Sequence, residues 1–256
     1  MNWTASSKKG IFRNKNQDSF VAVSRMIEKK QYALFCVADG MGSTEYGELA
    51  SQYTVKAVEN WFYQNLLDIV KQKVNEVLMR KTLYILLQNI NMEIIKKLNQ
   101  QDISAGTTAS ILLLTPYHYF FVHCGDSRIY KVKKQKAVQI TQDHTAANFI
   151  KTMGECYKTR KYSDNVLYSC IGIIKNPEIQ TGSGILYQND GFILVSDGVY
   201  RFICIENIGL LHADELTEYA LQNESNDNVT AITVTLSSKR NQFYQIYQRW
   251  LSYFKW

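Results

Sequence analysis

The chain has 256 residues, of which 46% are hydrophobic and 20% are charged, so we expect a domain with a sizeable core. Its formal net charge is +6, and the lysines and arginines are spread along the whole chain. Because no basic stretch interleaves base-stacking groups, composition and charge argue against nucleic-acid binding.

The first part of the chain is predicted to form two paired strands and then two helices. Residues 20–23 and 32–38 are apolar segments that we expect to pair as strands. Apolar residues recur at helical spacing over residues 44–62, and again over residues 66–99. The second stretch is long for a single helix, so we predict a break around Arg80.

The second part is rich in short strands. Strands are predicted over residues 108–115, 119–124, 128–133, 138–141, 191–196 and 229–236. Short helices are expected at residues 143–153 and 214–222, with a polar loop at 154–165. Helices grouped between hairpin-like strands predict an α+β fold with mainly antiparallel sheets, in one domain over residues 1–238.

Five aspartates occur where a predicted strand meets a turn. Asp39, Asp197 and Asp227 adjoin apolar strands, Asp18 precedes a strand, and Asp126 lies between two strands. Single cases are usually turn formers whose side chains bond to local backbone donors. If the five meet, their repulsion calls for divalent cations, which could activate a water and bind a phosphoryl oxygen. Spacing alone leaves both interpretations open.

Seven short motifs follow one another along the chain. They are Arg13-x-x-Asn16-Gln17-Asp18, Val37-Ala38-Asp39-Gly40-Met41-Gly42, Ala105-Gly106-Thr107-Thr108, Cys124-Gly125-Asp126-Ser127-Arg128, Thr141-Gln142-Asp143-His144-Thr145, Val195-Ser196-Asp197-Gly198 and Asp227-Asn228-Val229-Thr230. In this order the set resembles the metal-dependent type 2C (PPM-type) Ser/Thr protein phosphatase family, in its compact bacterial form. The resemblance covers about residues 7–236.

The resemblance implies a fold and a metal centre. The fold is a central β-sandwich of two antiparallel sheets flanked by helices on both sides, with the metals at one edge. Asp39 would bridge two Mn²⁺ or Mg²⁺ ions, and the Gly40 carbonyl would ligate one of them. Asp197 and Asp227 would hold the other ion, while Asp18 would act directly or through a coordinated water.

Two more residues gain roles from the resemblance. Arg13 matches the arginine that grips the substrate phosphate, for which a guanidinium fork is well suited. Asp126 matches a carboxylate that, together with Asp197, supports a third and weaker metal. Asp39 and Arg13 are therefore the predicted catalytic residues.

Other motif residues are expected to be structural. Thr107 and Thr108 should begin a core strand beneath the site, and Arg128 should brace a turn. His144 could act as an acid, but a structural role in its turn is favoured.

Two of the chain's departures from the family pattern bear on its activity. Gln17 stands where many members have a glutamate, which removes a negative charge near the second metal. Residues 165–172, NVLYSCIG, replace a threonine-arginine-alanine run, which indicates a reduced flap beside the substrate groove. These departures are the only support for the alternative function, an inactive pseudophosphatase that binds phosphoproteins as a scaffold.

The predicted function is hydrolysis of phosphoserine and phosphothreonine in proteins, opposing a Ser/Thr protein kinase. Five cysteines without a CxxC pair argue against disulfides and zinc, which favours a reducing cytoplasm. No apolar run of about 18 residues occurs, so no membrane span is predicted. We expect a monomer.

The last residues, 239–256, lie beyond the resemblance and form a basic, aromatic tail. Its aromatic side chains fall on one helical face, with lysines and arginines around it. Docking on the catalytic domain is favoured over anchoring to a membrane surface or a partner.

Overall fold

Two antiparallel β-sheets packed face to face form the centre of the protein. The computed structural model describes residues 1–41, 46–71, 75–99, 103–134, 136–153, 166–203 and 211–236. The first sheet contains β1 (Asn2–Lys8), β11 (Val229–Thr235), β10 (Gly191–Val195), β7 (Arg128–Lys133) and β8 (Lys136–Gln139), in that order. The second contains β2 (Asp18–Ile27), β3 (Lys30–Met41), β5 (Ala109–Leu114), β6 (His118–Cys124) and β9 (Gln180–Ile185), and the short β4 (Gly106–Thr107) pairs with β3.

Helices cover the outer face of each sheet. The long helices α1 (Gly47–Lys71) and α2 (Glu76–Asn99) pack on the second sheet. The short helices α4 (Asp197–Tyr200) and α5 (Ala213–Gln222) pack on the first, and α3 (Ala146–Met153) follows β8. The predicted α+β sandwich with helices on both sides is therefore confirmed.

Strand β3 shows how the layers are held together. Its residues alternate between faces: Leu34 and Cys36 join the core beneath α1 and α2, while Phe35 and Val37 join the core between the sheets. A third core lies between the first sheet and helices α4 and α5. Because both faces of β3 are covered, its sequence is continuously apolar rather than alternating.

The predicted helix break around Arg80 is wrong. Arg80 lies inside α2, which begins at Glu76, and α1 ends at Lys71. The Asn75 side-chain oxygen accepts a hydrogen bond from the Leu78 backbone N–H at 3.1 Å, which is the geometry of a helix N-cap. The signal for the true boundary was therefore an asparagine followed by a glutamate.

Strands β1 and β9 were not predicted, because their sequences look polar or glycine-rich. In β9, Gly182 and Gly184 lie against the rings of Phe121 and Tyr119 on β6. A Cβ at Gly182 would stand 2.1 Å from the Phe121 ring, so the aromatic side chains take the space that β9 side chains would fill.

Some predictions fall outside the described residues, namely the loop at 154–165 and the tail at 239–256. Cys36, Cys124 and Cys170 are buried free thiols, and the other two cysteines also lie outside the described part. Among the described helices, none combines the length and apolar character needed to cross a membrane.

Replacing Phe35 with alanine tests the packing between the sheets. Phe35 is fully buried, so Phe35→Ala should lower the free energy of unfolding by about 3–5 kcal/mol. The matched control is Phe12→Ala, since Phe12 is 75% exposed and should change stability by less than about 0.5 kcal/mol. Urea denaturation measures both values, and equal losses for the two variants would contradict the assignment of the core.

Candidate metal centre

The ends of several strands deliver the five aspartates to one edge of the sandwich. Asp18 begins β2 and is the register partner of Asp39 near the end of β3. Asp197 follows β10, and Asp227 precedes β11, the antiparallel neighbour of β10. Asp126 lies in the turn between β6 and β7, which connects the two sheets. Aspartates that are far apart along the chain thus gather where the two sheets meet.

Burial and the charges of neighbouring aspartates raise the pKa of four carboxylates, those of Asp18, Asp39, Asp126 and Asp197. Burial raises the pKa of Asp39 well above its usual range, and the charges of the other four aspartates add to this effect. Burial also raises the pKa of Asp18 to about 6, against hydrogen bonds that lower it. For Asp126, burial and the charge of Asp197 raise the pKa to about 7. The cluster is therefore one electrostatic unit.

Two hydroxyl groups hold Asp18. Ser196 Oγ and Thr230 Oγ1 donate hydrogen bonds to Asp18 Oδ2 at 2.8 and 2.7 Å. Ser196 Oγ in turn accepts the Thr230 backbone N–H at 3.0 Å, which joins Asp18 on the second sheet to β11 on the first. The sequence did not predict that Ser196 and Thr230 hold Asp18, although both residues lie within the seven motifs.

The backbone of Asp39 is fixed by two threonines beneath it. The Asp39 N–H donates to Thr108 Oγ1 at 2.9 Å. Its carbonyl accepts the Thr108 N–H at 2.9 Å and the Thr107 hydroxyl at 3.0 Å. Thr107 ends β4 and Thr108 directly precedes β5, so the two threonines support Asp39 from the junction of these strands rather than from the start of a single core strand.

Gly40 occupies a position that has no room for a side chain. Its N–H donates to the Gln17 carbonyl at 3.1 Å. A Cβ on Gly40 would stand 2.3 Å from the Gly47 carbonyl oxygen and 2.5 Å from that of Gln17. Glycine therefore allows the backbone after Asp39 to lie directly against the start of α1.

Two arginines contact the cluster. Arg13 Nη2 lies 2.6 Å from Asp227 Oδ2, and the Arg13 side chain is 46% exposed. Arg201 Nε is 3.1 Å from Asp197 Oδ2, and its Nη2 is 3.4 Å from Asp126 Oδ2. Sequence reasoning missed Arg201, although its position four residues after Asp197, within one helical turn, was a usable signal.

The donor set fits divalent cations. Asp18 Oδ1 and Asp197 Oδ1 are buried and have no hydrogen-bond partner among the described residues. Such oxygens require a counter-charge, and hard cations prefer oxygen ligands. However, no group of three or more His, Cys, Asp or Glu side chains within the described ranges is already arranged to hold an ion. Several of the carboxylate oxygens that face the cluster are instead taken up by arginines and hydroxyls.

Two other motif residues form structural contacts. His144 Nδ1 accepts a hydrogen bond from the Gly125 backbone N–H at 3.2 Å, and the His144 backbone N–H donates to the Gly125 carbonyl at 2.8 Å. Arg128 binds both carboxylate oxygens of Asp143 at distances from 2.6 to 3.1 Å. Both contacts agree with the structural interpretation favoured by the sequence.

The described end of the segment predicted as a reduced flap packs beside the site. Ile171 and Thr107 exchange two backbone hydrogen bonds of 2.9 Å, and Tyr168 N–H donates to the His144 carbonyl at 3.0 Å. Residues 166–172 therefore belong to the wall beside β4, whereas residue 165 and the loop before it lie outside the described part.

The chain matches known protein phosphatases over most of its length. The family model for protein phosphatase 2C matches residues 12–251. The protein phosphatase PhpP of Streptococcus pneumoniae is 27% identical, over 90% of this chain and 95% of PhpP.

Solved structures share the fold at lower identity. The serine/threonine phosphatase of S. agalactiae superposes with a TM-score of 0.75 at 22% identity, covering 91% of this chain and 98% of its own. The catalytic domain of the serine/threonine phosphatase PstP, solved in complex with two manganese ions, gives a TM-score of 0.75 at 24% identity, covering 93% and 98%.

These matches confirm the resemblance drawn from the seven motifs. They also confirm the class of activity that it implies, a protein phosphatase. The chain belongs to the protein phosphatase 2C family.

Proposed function

We propose that this protein hydrolyses phosphoserine and phosphothreonine in other proteins with two Mn²⁺ or Mg²⁺ ions. Asp18, Asp39, Asp197 and Asp227, together with the Gly40 carbonyl, would hold the ions. The observation that carries the proposal is the gathering of buried aspartates at one edge, where Asp18 Oδ1 and Asp197 Oδ1 have no hydrogen-bond partner among the described residues, because carboxylates buried together require positive charge to stay ionised. The structure of PstP with two manganese ions supports the choice of metal.

When bound, the two ions supply an activated water and positive charge for a phosphoryl oxygen. The chain's own residues place the ligands. Ser196 and Thr230 hold one oxygen of Asp18 and leave Asp18 Oδ1 without a hydrogen-bond partner in the described residues. Thr107 and Thr108 fix the backbone of Asp39 from below. Ligands that are held in place need little further ordering when an ion binds.

Arg13 would bind the substrate phosphate. The Arg13 guanidinium donates to Asp227 Oδ2 and so contacts the cluster. Burial lowers the pKa of Arg13, but this hydrogen bond and the charges of the aspartates outweigh it and raise the pKa. The ion pair with Asp227 must open for Asp227 to ligate an ion and for Arg13 to bind phosphate. Since Arg13 is 46% exposed, its side chain has space to turn outward.

Arg201 would be a second arginine that a metal ion can displace from the carboxylates. It contacts Asp126 and Asp197, the two carboxylates assigned to a third, weaker ion. We infer that this ion competes with the Arg201 guanidinium, which explains why the third site would be the weakest of the three.

The physiological setting follows from the same proposal. The substrates are phosphoproteins, and the opposing enzyme would be a Ser/Thr protein kinase in the cytoplasm. Three buried free thiols support a reducing compartment. We keep a monomer as the proposed active form, because the proposed ligands need no residue from a second copy.

The pseudophosphatase alternative has little support. It rests on Gln17 and on the predicted reduced flap. A scaffold that only binds phosphoproteins has no need for several buried carboxylates that repel one another, because that repulsion lowers stability.

Asp39→Asn tests the metal centre. This change removes the charge of the proposed bridging ligand, so manganese-dependent hydrolysis of a phosphothreonine peptide should fall by more than about 100-fold, since even residues outside a metal's ligands often cost 10- to 100-fold. Asp68→Asn is the matched control, because Asp68 is an exposed aspartate on α1 and its replacement should leave turnover unchanged. Titration calorimetry should show weaker manganese binding for Asp39→Asn alone. Full activity of the wild type in excess chelator would contradict the mechanism.

Arg13→Ala tests phosphate binding. Loss of a charge-assisted contact should lower kcat/KM for the peptide by about 10- to 100-fold. Arg13→Lys should recover part of this loss, because an ammonium keeps the charge without the guanidinium fork. Arg25→Ala provides the control, since Arg25 is exposed on β2 and packs over Tyr63. Equal kcat/KM values for Arg13→Ala and wild type would rule out this role.

The pH dependence of stability tests the electrostatic coupling. Burial raises the pKa of Asp18 to about 6, above the value of about 3.9 expected in the unfolded chain. When a chelator has removed all metal, the folded state therefore binds more protons than the unfolded state between about pH 4 and pH 6. The contribution of Asp18 to stability falls as pH rises through this range.

Asp18→Asn should consequently gain stability relative to wild type as pH rises from about 4 to about 6, while the asparagine oxygen can still accept a hydrogen bond. Urea denaturation at several pH values measures this difference, with Asp68→Asn as the matched control. A difference between Asp18→Asn and wild type that does not change with pH would contradict the raised pKa.

A further inference from the structure

A polar cavity of about 710 Å³ lies beside the carboxylate cluster. Its lining includes Arg128, Gln142, Asn148, Lys151, Gln180 and Arg201. Arg201 connects the cavity to the cluster, because its guanidinium contacts Asp197 at 3.1 Å and Asp126 at 3.4 Å. A substrate held at the cluster would therefore have neighbouring residues within reach of the cavity.

The floor of the cavity is rigidly built. Asp143 accepts three hydrogen bonds from Arg128 and one from Gln139 at 2.7 Å. The Arg128 guanidinium also stacks on the Tyr200 ring at 3.5 Å. The Asn148 amide donates to the Asp143 carbonyl at 2.9 Å, which ties α3 to this floor. The shape of the cavity is thus set by contacts that do not depend on a ligand.

The cavity carries an excess of positive charge. Among the described residues that line it, three side chains are cationic and one, Asp143, is a carboxylate. Arg128 neutralises Asp143, and Arg201 pairs with Asp126 and Asp197 of the cluster, so Lys151 supplies the excess charge. Lys151 stands exposed in the last turn of α3 and forms no ion pair with any residue that the structure describes. Its ammonium is thus available to an anionic ligand, while the amides of Gln142 and Gln180 add polar groups to the wall.

We propose that this cavity is a specificity subsite that binds an anionic side chain of the phosphoprotein, close in sequence to the residue being dephosphorylated. The proposal rests on the proposed function, because it takes the position of the scissile phosphate from the carboxylate cluster. A carboxylate or a second phosphate would satisfy the same groups, since both accept hydrogen bonds from ammonium and guanidinium groups. Lys151 would be the main attractive charge, and Arg201 would mark the boundary with the metal centre.

A peptide series tests the subsite. Phosphothreonine peptides carry glutamate, phosphoserine or glutamine in turn at each neighbouring position. The measured quantity is the ratio of kcat/KM between the anionic and the glutamine peptide on the same enzyme, so that a general loss of activity cancels. At the best position, the wild type should prefer the anionic peptide by about tenfold.

Lys151→Glu should reduce this preference to about one or below, because it replaces attraction by repulsion. The matched control is Lys71→Glu, since Lys71 is an exposed lysine in the last turn of α1. That control should keep the preference. An advantage for phosphoserine without one for glutamate would identify a second phosphate as the ligand, and an advantage for both would identify any anionic side chain.

Two results would overturn the subsite. The first is that the wild type shows a kcat/KM ratio of about one between anionic and glutamine peptides at every position. The second is that Lys151→Glu keeps the wild-type preference. Binding of non-hydrolysable phosphonate analogues, followed by fluorescence anisotropy, gives the same ratio from Kd values. A Kd preference without turnover would refute the proposed function and leave the subsite in place. Turnover without any preference would refute the subsite alone.

Discussion

Several carboxylates lie together at a buried edge of the sandwich, where their charges repel one another. The surrounding fold must hold them there against this repulsion. Burial and mutual repulsion raise the pKa of Asp39, and Asp18 and Asp126 are affected in the same way. Hydroxyl groups offset part of this cost at Asp18, and the two arginines offset part of it at Asp126, Asp197 and Asp227. Such an arrangement is unfavourable for stability alone, so its explanation lies in the cations that it can bind.

The sandwich makes this crowding possible because the core fixes the strands on both sides. Leu34 and Phe35 alternate into separate cores, so sliding β3 by one residue would move each side chain into the other core and disrupt the packing of both. Asp39 lies near the end of β3, so the packing of β3 fixes the position of Asp39. The same register brings Asp18 opposite Asp39, and the Ser196 hydroxyl then links Asp18 to the other sheet. Site geometry is thus a consequence of core packing.

Much of this could be predicted from the sequence. Apolar runs predicted most of the strands, and the seven motifs led to the family and to the candidate ligands. The features that the sequence did not predict depend on contacts between distant residues. Strand β9, for example, needs its glycines because the rings of Phe121 and Tyr119 occupy the space beside them. The support of Asp18 by Thr230, 212 residues away, depends equally on folding. A pattern within a single segment carries no information about such partners.

Crystals soaked in manganese and measured at the manganese absorption edge would test the central claim directly. We expect two anomalous peaks at the edge of the sandwich, both beside the Asp39 carboxylate, with Asp197 and Asp227 turned toward one of them. Arg13 should then no longer contact Asp227. The absence of anomalous density among these aspartates at saturating manganese would contradict the proposed metal centre.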